Sequence, residues 1–350
     1  MTLRIAICAA QIPFVSGGAE VLYGTLRDEL RRRGHQAEIV SIPFNWRSRQ
    51  AILKSALAWR MVDLEEVAGQ RIDLAIATRF PSYCVRHPRK VVWLIHQFRQ
   101  IYELEGTRFS DFGSQPGDDR VAGMLRAMDR RTLGEAHARF AISDNVAARL
   151  RRFSGLEAET LYPPPALGES YRSGPHGDTV VTVGRLDPMK RFDLLVRAVA
   201  AASTPVRAVI AGAGPDEARL RALAAELGVA DRVELPGRVD DERLAELYAG
   251  ALAVYYAPFD EDYGYVTVEA FRSERPLVTT ADAGGVLELV TDGVSGLVAP
   301  GPSPRELAAR IDRLYRDREL AARLGRAGRA RVAGIGWDRV VDALLGGLQG

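Results

Sequence analysis

Cysteine, histidine and net charge are all scarce in this sequence, and each scarcity excludes a class of protein. Two cysteines in 350 residues, Cys8 and Cys84, make no disulfide framework, and Cys8 stands in an apolar run typical of a core position. The five histidines form no Cys/His cluster at metal-ligand spacing, so no metal site is predicted. A net charge of +2 lacks the basic excess of a nucleic-acid-binding protein, so no nucleic-acid partner is expected.

Long apolar runs are missing as well. No run approaches the roughly 18 residues that a membrane span needs, and the first residues lead directly into a strand-like pattern without a cleavable signal. We therefore expect a cytoplasmic chain. Residues 1–170 carry 24 Lys and Arg against 19 Asp and Glu, whereas the remainder carries 23 against 26. The basic first half is compatible with an anionic acceptor or with peripheral contact at the inner membrane face. Ordinary scatter of surface charge is the alternative.

The chain is instead rich in apolar strand-like runs that alternate with amphipathic helical runs. Strands are predicted in the first half at 3–9, 37–40, 72–77, 91–95 and 139–142, and helices at 22–33, 123–136 and 146–153. After a proline run at 162–165 and a loose stretch to residue 177, the pattern restarts. Strands then follow at 179–183, 208–211, 233–235, 251–255 and 276–279, and helices at 192–202, 216–227, 240–248 and 304–315.

This repeated alternation predicts an α/β fold of two Rossmann-like, doubly wound domains that face each other across a cleft. The length of 350 residues also favours two domains. We place the first domain at 1–162, the second at 163–335 and a final helical segment at 336–350.

The segment 257–271, Ala-Pro-Phe-Asp-Glu-Asp-Tyr-Gly-Tyr-Val-Thr-Val-Glu-Ala-Phe, is the most informative stretch. It sets Glu261 and Glu269 eight positions apart, with Glu261 in a loop after a strand-like run and Glu269 on the helix-like run at 266–272. A glycine-containing loop before a helix directs backbone N–H groups and the positive end of the helix dipole at one point, which suits an anion. Carboxylates beside an anion fit a ligand that also carries hydroxyls, because an ionised carboxylate only accepts hydrogen bonds. A nucleotide sugar has both groups; a solvated surface loop and helix is the alternative.

Two loops of the first domain also stand where a ligand would bind. Gly17 and Gly18 follow the first strand and open the first long helix, although they do not form a G-x-G-x-x-G dinucleotide pattern. His96 follows the strand at 91–95 and precedes a long irregular segment, and the carboxyl edge of a parallel sheet lines the ligand crevice. Taken alone, the glycines are equally typical of a tight turn.

The second domain places two cations on one loop. Arg185 and Lys190 follow its first strand and precede a helix. A guanidinium binds phosphate oxygens in a bidentate manner and an ammonium adds a point charge, so the two could neutralise a diphosphate. A solvated basic turn is the alternative.

Together these features resemble the retaining, nucleotide-sugar-dependent glycosyltransferases of the GT-B fold, and among them glycosyltransferase family 4. Four features carry this resemblance: the E-x7-E spacing of Glu261 and Glu269, the surrounding residues from Pro258 to Gly284-Gly, the Gly17-Gly18 loop, and Gly184-Arg185 followed by Lys190. These motifs occur in the family's order over nearly the whole chain.

The resemblance implies transfer of a sugar from a UDP- or GDP-sugar to a hydroxyl acceptor in glycan, glycolipid or natural-product biosynthesis, with retention of configuration and without a cofactor or metal. It implies catalytic roles for Arg185 and Lys190 on the diphosphate, and for Glu261 and His96 on the sugar. Glu269 would bind the ribose. The other donor-binding positions that it implies are Gly17, Gly18, Gly184, Gly212, Arg238, Val239, Tyr263, Gly264, Tyr265, Val266 and Thr267. In this family the final helix crosses back onto the first domain.

Two other functional classes stay open beside this one. A non-catalytic nucleotide-sugar-binding protein would be expected to lose Arg185, Lys190 or His96, and all three are present. A nicotinamide-dependent oxidoreductase is suggested only by the Rossmann-like halves, because the dinucleotide pattern is absent. The sequence identifies neither the donor sugar and base nor the acceptor, the linkage or the oligomeric state.

Overall fold

The structure is a computed structural model that describes residues 2–14 and 17–347. The chain divides into two compact units. Unit 1 comprises Met1–Ala166 together with Gly336–Gly350, and unit 2 comprises Leu167–Ile335. The final helix is therefore part of unit 1, although residues 348–350 of its predicted segment lie outside the described residues.

Unit 1 is built on a parallel six-stranded sheet with helices between its strands. Its strands are β1 Arg4–Gln11, β2 Gln36–Pro43, β3 Glu66–Val67, β4 Gln70–Arg71, β5 Leu74–Ala77, β6 Lys90–Leu94, β7 Ala138–Ala141 and β8 Glu159–Thr160. Its first four helices are α1 Gly18–Arg32, α2 Arg49–Met61, α3 Asp118–Gly134 and α4 Asp144–Ser154. The sheet order is β2-β1-β5-β6-β7-β8, while β3 and β4 pair separately as a short antiparallel hairpin.

Unit 2 repeats this plan with a second parallel six-stranded sheet. Its strands are β9 Thr179–Val183, β10 Arg207–Ala211, β11 Val233–Gly237, β12 Ala253–Tyr255, β13 Leu277–Thr280 and β14 Gly296–Ala299. Its helices are α5 Phe192–Ala201, α6 Glu217–Glu226, α7 Asp241–Gly250, α8 Tyr265–Arg272, α9 Pro304–Arg316 and α10 Arg318–Val332, after which α11 Trp337–Gly346 returns to unit 1. The sheet order is β11-β10-β9-β12-β13-β14.

The predicted strands and helices all correspond to elements of the structure, and side-chain caps fix several helix starts. Ser143 Oγ accepts from Val146 N at the start of α4, and Ser303 Oγ accepts from Glu306 N at the start of α9. Strands β9, β10, β12 and β13 are largely buried and apolar, as expected for a parallel sheet covered on both faces.

The sequence did not predict α2, α10 or the short strands β3, β4, β8 and β14. Two glycines inside α10 are typical helix breakers, but here they allow close packing. A Cβ on Gly325 would lie 1.9 Å from Glu274 O, and one on Gly328 would lie 2.3 Å from the ring of Phe271 on α8. The glycines therefore let α10 pack directly against α8 and the turn that follows it.

Both cysteines are buried free thiols in unit 1. Burial raises the pKa of Cys8 and of Cys84 to about 12, so both are protonated at neutral pH and lack nucleophilic character. In the described part of the chain, no helix is long and apolar enough to cross a bilayer.

Candidate functional site

The strand order of unit 2 reverses between β9 and β12. The chain runs outward from β9 to β10 and β11, then returns to start the other side of the sheet with β12. In open α/β sheets the loops at the carboxyl ends of the two strands that flank such a point diverge and leave a crevice for a ligand. Here these loops carry Lys190 after β9 and Glu261 after β12.

Close backbone packing shapes the loop after β9. A Cβ on Gly212 would lie 1.9 Å from the carbonyl oxygen of Gly184, so only glycine allows the loops after β9 and β10 to approach this closely. A short 3-10 turn, Pro188–Lys190, follows, and Asp187 Oδ1 accepts from Met189 N to cap it. The turn fixes the backbone at Lys190.

The two predicted cations of this loop have different environments. The side chain of Arg185 is exposed and forms no ion pair with any residue in the described ranges. The Nζ of Lys190 donates to Glu261 Oε2 at 2.7 Å and to Tyr256 Oη at 3.0 Å. Burial by itself would lower the pKa of Lys190, but Glu261 and Tyr256 hold it above its ordinary value. Lys190 is therefore charged, and in this structure its charge is paired with Glu261.

The loop after β12 is held in a sharp turn that ends at the start of α8. Gly264 has a φ of 86°, and a Cβ there would lie 2.5 Å from the ring of Tyr256. Tyr263 is buried and packs edge-on against Tyr265, with ring centroids 5.6 Å apart. The first turn of a helix exposes backbone N–H donors, although the Thr267 amide already donates to Gly264 O at 3.0 Å.

The remaining predicted positions on α8 face inward. Val266 and Thr267 are buried. Glu269 Oε2 accepts a 2.7 Å hydrogen bond from the hydroxyl of Tyr248, and Tyr171 lies beside the same carboxyl group. Burial raises the pKa of Glu269, while the two tyrosine hydroxyls oppose this. The structure thus brings Glu261 together with Lys190 and places Glu269 with two tyrosines.

The loops after β10 and β11 lie at the same edge of the sheet. Gly212 N donates to Gly237 O at 2.7 Å, which ties these two loops together. The side chain of Arg238 is exposed, whereas Val239 packs against a small apolar cluster of the sheet and α7. Gly212 is half-buried at this edge.

In unit 1 the strand order reverses between β1 and β5, and an ion pair spans this point too. Gly17 N donates to Glu20 Oε2 at 2.9 Å, just before Gly18 begins α1. Glu20 Oε1 accepts at 2.8 Å from Arg79, which follows β5 and also donates to Ala10 O at 2.6 Å. The glycine loop is therefore fixed to the neighbouring strand by charge.

His96 lies one residue beyond the end of a buried run that continues β6. Its Nδ1 is 2.6 Å from the carbonyl oxygen of Gln97, which can only accept, so Nδ1 carries the proton and Nε2 is an acceptor in the neutral ring. The side chain of Gln97 donates to Asp129 at 3.3 Å and to Ser154 at 3.0 Å, and the hydroxyl of Tyr102 donates to Asp129 at 2.9 Å. A buried polar network thus supports the histidine.

Several residues of these sites were not predicted from the sequence. They are Glu20 and Arg79 in unit 1, and Tyr171, Arg191, Tyr248, Tyr256 and Asp282 in unit 2. The position of Arg191 beside Lys190 and of Asp282 just after β13 was a usable signal, because charged residues at the carboxyl ends of parallel strands lie close together. Across residues 2–14 and 17–347, no three His, Cys, Asp or Glu side chains lie close enough to hold a metal ion.

Comparison with known proteins gives matches that include unit 2. Residues 169–331 match the family model described as Glycosyl transferases group 1. A D-inositol 3-phosphate glycosyltransferase of Frankia alni is 34% identical over 207 residues, covering 55% of this chain and 50% of that protein. Its counterpart in Nocardia farcinica is 31% identical over 242 residues, covering 62% and 53% respectively. The chain thus spans about half the length of the curated relatives it matches.

Solved structures resemble the chain over almost its whole length. Sucrose-phosphate synthase from Thermosynechococcus elongatus matches with a TM-score of 0.78 at 20% identity, covering 99% of this chain and 98% of that one. WaaG, described as a glycosyltransferase involved in lipopolysaccharide biosynthesis, matches with a TM-score of 0.75 at 18% identity, covering 98% and 100%. HepE of Anabaena, solved with UDP-glucose, matches with a TM-score of 0.73 at 19% identity, covering 99% of each chain. The protein therefore has the GT-B fold, with its two Rossmann-like domains, and residues 169–331 match the Glycosyl transferases group 1 family model.

Proposed function

We propose that the protein is a retaining, metal-independent glycosyltransferase that moves a hexose from a nucleoside-diphosphate sugar to a hydroxyl acceptor. The observation that carries this proposal is the Lys190–Glu261 pair across the point of strand reversal in unit 2, with the exposed cation Arg185 on the same loop. The cations suit a diphosphate, and the carboxylate can accept hydrogen bonds from sugar hydroxyls. Together they suit a ligand in which a diphosphate is joined to a sugar.

The nucleotide part of the donor would bind to the other loops at the carboxyl edge of the unit 2 sheet. Backbone at Gly212, Arg238 and Val239 would take the base, and Glu269 would accept hydrogen bonds from the ribose hydroxyls. Tyr248 binds one oxygen of Glu269 and so holds the carboxylate in place. Because HepE was solved with UDP and with UDP-glucose, UDP-sugars are the first donors to test.

Unit 1 would bind the acceptor. His96 would orient a hydroxyl of the sugar or of the acceptor. Curated relatives are D-inositol 3-phosphate glycosyltransferases, so a phosphorylated polyol is the first acceptor class to test.

In the proposed reaction the bond between the anomeric carbon and the diphosphate oxygen breaks, and the electron pair stays on the diphosphate. Arg185 and Lys190 would stabilise this growing charge in the transition state. The acceptor hydroxyl attacks the same face of the sugar and its proton passes to the leaving phosphate oxygen, which preserves the configuration. Glu261 would bind the sugar, and no enzymic nucleophile is required.

A thermal-shift series with UDP-, GDP- and ADP-sugars tests the donor. A ligand at 100 times its Kd stabilises the folded state by about 2.7 kcal/mol, so the correct base gives a clear rise in Tm. Transfer is then measured with inositol 3-phosphate and with free inositol as acceptors, and NMR of the product reports the anomeric configuration. An inverted product would contradict the retaining mechanism. Binding of donors without transfer to any acceptor would favour the non-catalytic alternative, and no stabilisation by any nucleoside diphosphate would contradict both.

A further inference from the structure

Arg191 follows Lys190 directly, and its charged side chain is almost completely buried at 5% exposure. The guanidinium donates to two carbonyl oxygens of the loop after β12, those of Ala257 and Pro258, each at 2.7 Å. It also forms a bidentate pair with Asp282 just after β13, with both distances at 2.8 Å, and donates to Thr280 Oγ1 at 2.9 Å. One side chain therefore contacts the segments that follow two neighbouring strands.

The backbone of Arg191 adopts a conformation that its side chain does not favour. Its φ is 52°, in the left-handed region where a Cβ costs free energy and where glycine is the usual residue. The hydroxyl of Tyr255 donates to the carbonyl oxygen of Arg191 at 2.8 Å and helps to hold this turn. An arginine at this position is explained by what its side chain binds, because glycine would satisfy the backbone alone.

The contacts of Arg191 continue through the backbone to Glu261. Asp260 N donates to the carbonyl oxygen of Asp282 at 2.9 Å, and Glu261 N donates to that of Ala283 at 3.1 Å. On the other side, Phe259 N donates to the carbonyl oxygen of Met189 at 2.9 Å. The segments after β9, β12 and β13 thus form one connected assembly, in which Arg191 belongs to the first segment and its side chain contacts the other two.

We propose that Arg191 is a positioning residue that fixes Lys190 and Glu261 relative to each other at the donor diphosphate, an inference that rests on the proposed function. The planar guanidinium has five N–H donors in a fixed geometry, and all of its three nitrogens are used here. Lysine would keep the charge but could not bind two carbonyls and a bidentate carboxylate together. The role is therefore specific to arginine and acts through Lys190 and Glu261, without contact with the substrate.

Three variants test this role. Arg191→Lys keeps the charge, Arg191→Gly keeps the left-handed backbone without the side chain, and Asp282→Asn removes the carboxylate from the other end of the pair. Asp312→Asn is the matched control. Asp312 is also a buried carboxylate of unit 2, and it accepts from the amides of Ser203 and Thr204 at 2.9 and 3.0 Å. These residues precede β10, so the control alters a loop at the amino edge of the same sheet.

The first measurement needs no ligand. Hydrogen exchange of the amides of Phe259, Asp260 and Glu261 is followed at a temperature well below the Tm of every variant. We expect exchange at these three amides to accelerate by at least about tenfold in Arg191→Lys and Asp282→Asn, because their carbonyl partners are no longer held. Asp312→Asn should leave them within about twofold of the parent protein. Equal acceleration in the control, or none in the Arg191 variants, would overturn the positioning role.

The second measurement asks whether Arg191 acts through Lys190. Arg191→Lys is expected to raise the Kd for UDP and to lower kcat/KM by about 10- to 100-fold, since misplacement of catalytic groups by about 1 Å costs this much. In a Lys190→Ala background the same change should alter the Kd for UDP by less than about twofold, because the cation that Arg191 positions at the diphosphate is already gone. Asp312→Asn should change the Kd for UDP and kcat/KM by the same factor in the parent and in the Lys190→Ala background. Additive effects of Arg191→Lys and Lys190→Ala would contradict the inference.

The two readouts separate this inference from the proposed function. If the parent protein binds no nucleoside diphosphate, the proposed function fails, while the exchange measurement still decides whether Arg191 holds the loops. If the parent binds UDP and transfers sugar, but Arg191→Lys and Asp282→Asn do so at parental rates, the proposed function stands and the positioning role is wrong. Should Arg191→Gly fail to fold, Asp282→Asn carries the test, because the side chain of Asp282 is 37% exposed.

Discussion

Each unit carries an ion pair across the point where its strand order reverses, but the two pairs have opposite arrangements. In unit 1 the helix after β1 supplies the carboxylate, Glu20, and the segment after β5 supplies the cation, Arg79. In unit 2 the loop after β9 supplies the cation, Lys190, and the loop after β12 supplies the carboxylate, Glu261. Both pairs are partly buried, with side-chain exposures between 11% and 23%.

The surroundings of the two cations show what this difference means. Arg79 also donates to the carbonyl oxygen of Ala10, so its contacts fix backbone as well as charge. Lys190 donates only to side chains in its described contacts, Glu261 and Tyr256, and Arg185 stands unpaired on the same loop within the described chain. The pair in unit 1 thus holds the glycine loop, whereas in the proposed function Lys190 would exchange the carboxylate of Glu261 for a phosphate.

A second contrast concerns the buried carboxyl groups behind these edges. In unit 1 Asp129 accepts from Tyr102 and Gln97, and burial raises its pKa to about 7. In unit 2 Glu269 accepts from Tyr248 and lies beside Tyr171, and burial raises its pKa as well. Asp129 is fully buried and supports the residue after His96, while Glu269 stands on the helix that begins at the candidate donor site. In the proposed function, Asp129 is structural and Glu269 binds the ribose.

The largest effect is expected from the cations of unit 2. Arg185→Ala should lower kcat/KM by about 100- to 1000-fold, because loss of one donor to the developing charge costs about 2.7–4 kcal/mol, while the Tm stays unchanged for an exposed, unpaired side chain. Lys190→Ala should lower kcat/KM by a similar factor. It should also lower the Tm, since Glu261 is left partly buried without its cation. Steady-state kinetics and thermal unfolding provide the measurements.

Arg79→Ala and Arg197→Ala are the controls for this comparison. Arg79→Ala should lower the Tm but leave the Kd for UDP within about twofold, if the pair of unit 1 only holds its loop. Arg197 is exposed on α5, so Arg197→Ala should change neither quantity. Near-normal turnover by both Arg185→Ala and Lys190→Ala would show that the two loops do not differ as described.

The next largest effect is expected on stability, through Asp129. Its folded pKa of about 7 lies above its ordinary value of 3.8, chiefly because of burial, so the folded state binds this proton more tightly than the unfolded state. The stabilisation of the folded state by this proton is complete below about pH 4 and is lost as the pH rises through 7. Between pH 5 and pH 8 the parent protein should lose about 2–3 kcal/mol of unfolding free energy that Asp129→Asn does not lose.

Urea unfolding at pH 5 and pH 8 measures this difference, with Asp312→Asn as the control. Hydrogen bonds from Ser203 and Thr204 outweigh burial and hold the pKa of Asp312 below its ordinary value. Its contribution is therefore constant from pH 5 to pH 8 and is lost only in more acidic solution. If the parent and Asp129→Asn show the same pH dependence, Asp129 is ionised in the folded protein and the contrast with unit 2 disappears.

A smaller effect separates the two glutamates. Glu269→Gln should weaken free UDP and the intact donor alike, by about tenfold, because an amide accepts fewer hydrogen bonds from ribose hydroxyls than a carboxylate. Glu261→Gln should bind free UDP as tightly as the parent or more tightly. The gain in binding free energy is expected to be up to about 1 kcal/mol, because the change releases Lys190 from its partner. Its turnover with the donor should fall, since the sugar loses an acceptor.

Calorimetry with UDP and with the donor on both variants is the measurement. If Glu261→Gln weakens the two ligands equally, the carboxylate does not compete with phosphate for Lys190. If Glu269→Gln weakens neither ligand, its place at the ribose is wrong.

Local patterns predicted most strands, because buried strands are short apolar runs, and most helices, but they missed α2. Its buried face, Ile52, Ser55, Ala56 and Trp59, has helical spacing, yet it includes a serine, and Leu57 and Met61 are exposed on the other side. The site was predicted only in part for a different reason. Lys190 and Glu261 are 71 positions apart, and the partners of Arg191 are 64 to 91 positions away, so their pairing depends on strand order, which local sequence does not specify.

The smallest expected effect is that of metal removal, which tests whether the cations of unit 2 suffice for the diphosphate. In the proposed reaction Arg185 and Lys190 supply the positive charge that many transferases obtain from a divalent ion, so transfer should be unchanged by excess EDTA. The assay compares untreated enzyme, enzyme with EDTA, and enzyme with EDTA followed by excess Mn²⁺ or Mg²⁺. Arg185→Ala is assayed in parallel, because partial rescue of this variant by Mg²⁺ would show that a metal can replace the missing guanidinium. A loss of parental activity in EDTA that Mn²⁺ or Mg²⁺ restores would mean that two side-chain cations do not neutralise the leaving group by themselves.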